Sequence, residues 1–130
     1  MRKNKQASTQ TNRKMNDETY KLRRVVMGHI YEAKALVPSL PRVDVRITDS
    51  KVARILGVAR MSDNIVWIPA STLEGYTAAQ VRHVVFHELL HAVFGIEHNN
   101  VCPLMNAVLI PTTPAQQDRI FKGYAAMEAA

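Results

Sequence analysis

Residues 84–98, Val-Val-Phe-His-Glu-Leu-Leu-His-Ala-Val-Phe-Gly-Ile-Glu-His, constrain this chain more than any other stretch. They contain His87-Glu88-x-x-His91, a spacing that serves chemistry only on a helix. Histidines four residues apart share one helix face, roughly 6 Å apart along the axis, close enough to ligate one metal ion. Glu88 follows the first histidine and can reach a water bound to that ion. A catalytic zinc site needs a third protein ligand and one open position. His98 is the leading candidate, because a turn at Gly95 can fold it back from the helix end, and glycine accepts the backbone angles such a turn requires. Glu97 and Cys102 are the alternatives. His83 lies four residues before His87, about 12 Å along the axis from His91, which excludes it from sharing an ion with that residue. It is expected to support the site from outside the ligand set or to lie at the surface.

The length, 130 residues, allows one domain with a single core. No run is long enough for a membrane span, and the polar, basic N-terminus lacks the apolar core of a secretory signal. With one cysteine, Cys102, an intramolecular disulfide is excluded, and the composition fits a reducing, cytoplasmic compartment. The net charge of +6 is concentrated at one end: Arg2, Lys3, Lys5, Arg13 and Lys14 stand in residues 1–14 without an acid. Residues 1–15 are therefore expected to be a basic, disordered tail that solubilises the chain or touches nucleic acid, and 16–130 a single domain.

Asn16 caps an expected helix whose apolar stripe runs through Leu22, Val25, Val26, His29, Ile30, Ala33, Leu36 and Val37, ended by Pro38 and Pro41. Val43, Val45 and Ile47 alternate with polar residues as in a half-buried strand. Ala53–Met61, with Gly57 as a bulge, and Ile65–Ile68 read as two further strands forming a hairpin around Ser62-Asp63-Asn64. Residues 69–76 read as a connection. Thr77-Ala78-Ala79-Gln80 is a capping box for the His87 helix, and Thr113-Pro114-Ala115-Gln116 opens a last helix with Ile120, Phe121, Tyr124 and Met127 inward. The expected fold is α+β: a small mixed or antiparallel sheet, an N-terminal helix, the metal-site helix and a C-terminal helix.

With Gly95, His98 and Met105 added to the helix motif, the chain resembles the metzincin metallopeptidases, and among them the matrixin-like branch. Members carry His-Glu-x-x-His-x-x-Gly-x-x-His, then a methionine in a tight turn beneath the metal, then a final helix. Cys102-Pro103-Leu104-Met105-Asn106 looks like that Met-turn. The spacing departs by one residue, since Gly95 follows His91 by four positions and His98 is correspondingly late. No tyrosine closely follows Met105. The resemblance implies zinc held by His87, His91 and His98, with Glu88 as general base in the hydrolysis of a protein or peptide substrate. A weaker resemblance to the SprT-like metallopeptidases implies a protease acting on DNA-bound proteins. In that family the third histidine lies further downstream, where this chain has none. A non-catalytic zinc-stabilised binding module with a nucleic-acid-contacting tail is the reading from another functional class.

Overall fold

A computed structural model describes residues 2–48, 58–59 and 63–129, and the side chains of 18–48 and 63–128. Seven elements follow in order: α1 (Arg2–Leu36), β1 (Asp44–Thr48), β2 (Val58–Ala59), β3 (Ile65–Pro69), α2 (Ala70–Gly75), α3 (Ala78–Phe94) and α4 (Pro114–Ala129). The α+β class expected from the pattern is the one observed.

α1 begins at Arg2 and not at the Asn16 cap. Its first 26 positions hold neither Gly nor Pro, and Lys, Arg, Gln, Ala and Met favour helix, so nothing in the sequence interrupts it there. Of its apolar stripe, Val26, Ile30 and Ala33 are buried, whereas Val25 turns outward. The side chains of the basic stretch 2–14 lie outside the described residues.

The sheet has the order β1-β3-β2, with β1 parallel and β2 antiparallel to the central β3. The β2–β3 pairing is the expected hairpin, although Gly57 and most of the expected Ala53–Met61 strand lie outside the described residues. Val45, Val66 and Ile68 turn one face of the sheet into the core. Asn64 joins three parts of the fold: its carbonyl accepts from the Asp44 amide at 2.9 Å, and its own amide donates to the Ala92 carbonyl of α3 at 3.1 Å.

The connection expected over 69–76 contains a short helix, α2. Six residues are too few to show a periodicity, and Pro69 precedes it in extended conformation with no side-chain cap. The Thr77–Gln80 capping box at the start of α3 is present in both directions, at 3.2 and 2.9 Å. Every residue from Val81 to Ala92 is buried, which makes α3 the central element of the fold. Thr113 and Gln116 cap α4 in the same reciprocal way. Phe121 of α4 meets the Phe86 ring at 4.9 Å and the Phe94 ring at 6.1 Å. Met127, expected inward, is 71% exposed: the last turns of α4 pass the core, and Gln117 and Ala125 are buried instead.

Arg82, a buried cation of α3, is fully engaged. Arg82 donates to Glu32 of α1 (3.2 Å), to the Pro114 carbonyl (3.2 Å) and to Gln117 Oε1 (3.1 Å), and forms an ion pair with Asp118 at 2.6 Å. This one guanidinium fastens α1 and α4 to α3, with its flat face 4.3 Å from the Phe86 ring centre. Among the described residues no helix is long and apolar enough to cross a membrane.

Candidate metal centre

The helix face that carries His87 and His91 points their Nε2 atoms at each other, 3.1 Å apart. α3 ends at Phe94, and Gly95 takes the left-handed conformation (φ 65°, ψ 25°), its amide donating to the His91 and Leu90 carbonyls. The chain reverses there, Ile96 N–H closing onto the Leu90 carbonyl at 3.0 Å. His98 Nε2 thereby comes to 3.2 Å from His87 Nε2. The turn accommodates the extra residue between His91 and Gly95.

The rings are fixed from behind. The Leu104 carbonyl lies 2.7 Å from His87 Nδ1 and the Ile96 carbonyl 2.5 Å from His91 Nδ1. A carbonyl only accepts, so each Nδ1 carries the proton and each Nε2 presents a lone pair. Burial holds both imidazoles in their neutral form, pushing His87 down to about 4 and lowering His91 as well. Two bare nitrogens 3.1 Å apart make no hydrogen bond with each other. The separation fits a shared ion: with metal–nitrogen bonds of about 2.0–2.1 Å, a tetrahedral edge is about 3.3 Å.

His87, His91 and His98 form a group that could hold a metal ion. Glu97 and Cys102 are not in it. Cys102 is half-buried and faces the Tyr124 side chain instead. Pro103–Met105 is a turn with Leu104 and Met105 fully buried, and the Met105 carbonyl accepts from the Asn99 amide at 2.9 Å. That turn supplies the carbonyl that orients His87.

Glu88 sits beside the donors, its Oε1 3.7 Å from His87 Nε2. Its Oε2 is buried with no hydrogen-bond partner, and desolvation pushes the carboxyl up to about 8. A buried, unsatisfied carboxyl oxygen beside three converging histidine nitrogens fits a cation with a water in this space.

His83 is buried, its ring stacked on His87 at 6.4 Å, and its Nδ1 is 2.7 Å from Thr112 Oγ1. Gln117 Nε2 donates to the same hydroxyl at 3.0 Å. Nothing in the sequence marks the two backbone carbonyls that orient His87 and His91, because any residue supplies a carbonyl and only the turns decide where it points. The Arg82 cluster was equally hidden, since a lone arginine on a helix carries no mark of burial.

No protein-family model, curated protein or solved structure matches this chain.

Proposed function

We propose that the chain is a small zinc-dependent peptidase of the metzincin type, in which His87, His91 and His98 hold the ion and Glu88 is the general base. The observation that carries this reading is Glu88 Oε2, buried without a partner next to three converging histidine nitrogens, two of them held as bare lone pairs by backbone carbonyls. Three imidazoles suit zinc, and three protein ligands leave one tetrahedral position open, as catalytic zinc sites do and closed structural sites do not. Zinc bound there supplies a water acidified toward neutral pH and a positive charge that polarises the scissile carbonyl.

The chain's own residues do the rest. Glu88 accepts the proton of the attacking water at Oε2 and passes it to the leaving amine. Its desolvated setting strengthens it as a base, and the cation's charge holds it ionised in the loaded site. The Leu104 and Ile96 carbonyls keep the His87 and His91 rings in the tautomer that ligates, and raise their donor strength. The Pro103–Met105 turn, with Met105 buried, suits the Met-turn role that the resemblance implies. The peptidase reading is favoured over a purely structural zinc module because the latter has no use for a buried carboxylate beside its ligands.

The test is zinc content per chain together with cleavage of unfolded casein, for wild type and Glu88→Gln. Wild type is expected to bind one zinc and cleave, while Glu88→Gln retains the zinc and loses about 10²–10⁴-fold in rate. Zinc binding with equal cleavage, or none, in both proteins overturns the catalytic assignment.

A further inference from the structure

Away from the metal centre, α1 and β1 border an open groove of about 890 Å3, and no residue of the His87–His91–His98 group lines it. Its floor is apolar, with Ile30, Leu40 and Val43 all buried. Arg23, Lys34 and Arg42 stand on its walls, and so does Tyr31, 66% exposed. An aromatic ring left that open beside an apolar floor has a free face. Asp44 and Asp63 also line the groove. Asp44 is already engaged by Arg46 at 2.9 Å and, more loosely, by Arg23 at 3.8 Å, an exposed pair that contributes little and yields readily to a stronger anion.

Beyond the groove, the adjoining face of α1 carries a second exposed tyrosine. Tyr20 precedes Tyr31 by eleven residues, close to three helical turns, so the two rings lie on one face about 16 Å apart. Tyr20 is 59% exposed, with the Arg24 guanidinium 5.9 Å from its ring centre. Arg24 and Met27 fall between the two tyrosines on that same face, and Lys34 lies just beyond Tyr31. Further toward the N-terminus the sequence adds five cations and no acid within residues 1–14.

Exposed aromatic faces spaced along a track of cations are what single-stranded nucleic acid needs: every base has a face to stack, and every phosphate a charge to pair. A duplex hides its base faces, and an acidic peptide has no use for two open tyrosines. We propose that the α1–β1 groove and the adjoining face of α1 bind single-stranded nucleic acid, with bases stacked on Tyr31 and Tyr20 and phosphates paired with Arg23, Arg24, Lys34 and Arg42. This surface is independent of the peptidase reading. Asn64, on the groove wall, is hydrogen-bonded to the Ala92 carbonyl of α3, while no residue of α3 lines the groove.

The experiment is fluorescence anisotropy of the full chain with labelled single-stranded DNA and RNA dodecamers, the corresponding duplex and a polyglutamate peptide, at salt from about 50 to 200 mM. Single strands are expected to bind most tightly and to weaken steeply with salt. Tyr31→Ala is expected to weaken binding about tenfold, and Tyr20→Ala by a similar factor. Arg42→Gln is expected to flatten the salt slope by about 0.7. Lys122→Gln, a cation on α4 that does not line the groove, is expected to leave binding as in wild type. All four replaced side chains are exposed, and circular dichroism checks that each variant folds. The proposal is overturned if the duplex or polyglutamate binds as tightly as the single strands, or if nothing binds. It is equally overturned if Tyr31→Ala, Tyr20→Ala and Arg42→Gln all bind as wild type while deletion of residues 2–14 abolishes binding.

Discussion

His87 Nε2 and His91 Nε2 stand 3.1 Å apart with no proton between them, because each neutral ring keeps its one N–H at Nδ1 and donates it to a backbone carbonyl. The fold thus holds two lone pairs against each other, and His98 brings a third nitrogen to the same point. A cation relieves that repulsion and converts it into ligation.

Zinc is therefore expected to raise the thermal midpoint, with stabilisation of about 4 kcal/mol at a thousandfold excess over Kd. His98→Ala is expected to cut zinc affinity by more than the roughly 10–100-fold typical of an outer-shell change, whereas Cys102→Ser leaves it near wild type. Isothermal titration of both variants decides between His98 and Cys102. Loss of zinc in Cys102→Ser alone would reverse the assignment.

Gly95→Ala tests the turn that returns His98. Its φ of 65° costs a residue with a Cβ about 1–2 kcal/mol. The metal-free protein should lose about that much in urea unfolding, and zinc affinity should fall as well, since relaxation of the turn moves His98 away from His87. Gly123→Ala on exposed α4 is the control, because a Cβ there meets nothing within 4 Å and the change should be neutral or slightly stabilising.

The pH dependence of the metal-free protein follows from its buried titratable groups. His83 and His87 are both lowered to about 4 by burial, so the unfolded chain takes up protons near pH 6.5 that the folded one refuses. Their contribution is fully present above about pH 6.5 and is lost as pH falls toward 4, roughly 2–3 kcal/mol for His83 alone by pH 4.5. Glu88 acts at the other end: raised to about 8, it favours the fold most below about pH 4.5 and progressively less as pH climbs to 8. Thermal melts from pH 4.5 to 8 should show His83→Asn with a flatter acid limb and Glu88→Gln with a flatter alkaline one. An acid limb unchanged in His83→Asn would rule out the buried neutral His83.

Arg82→Ala removes the guanidinium joining α1, α3 and α4 and leaves Gln117 and Asp118 without their partner. About 3–5 kcal/mol of stability should go with it, read from chemical denaturation. Arg82→Met, which restores the packing over Phe86, should lose less. Equal stability in all three proteins would show the cluster to be energetically idle.

Much of the fold was legible from local chemistry. Both capping boxes, the left-handed Gly95 and the β2–β3 pairing were marked by residues whose conformational preferences act within a few positions. The grouping of His98 with His87 and His91 could be anticipated from glycine alone. What escaped was decided at long range or by length. α2 is too short to show a period, and α1 runs on through a polar stretch whose composition suggested disorder although each residue tolerates helix. Met127 has the right spacing and still faces solvent, because spacing specifies a face and the end of the core specifies where that face stops mattering.

The placement of the three donors has a consequence for how the chain acquires its shape. His87 and His98 are eleven residues apart, and the Leu104 carbonyl is seventeen from His87. Those contacts join one helix end to the turns directly after it and can form locally, while the parallel β1–β3 pairing joins strands with β2 lying between them in the chain. The nitrogen trio can thus assemble on a chain whose sheet is still open. An ion captured then would act as a template for the unfinished domain around it, and a cell's supply of that ion would govern how much of the protein matures.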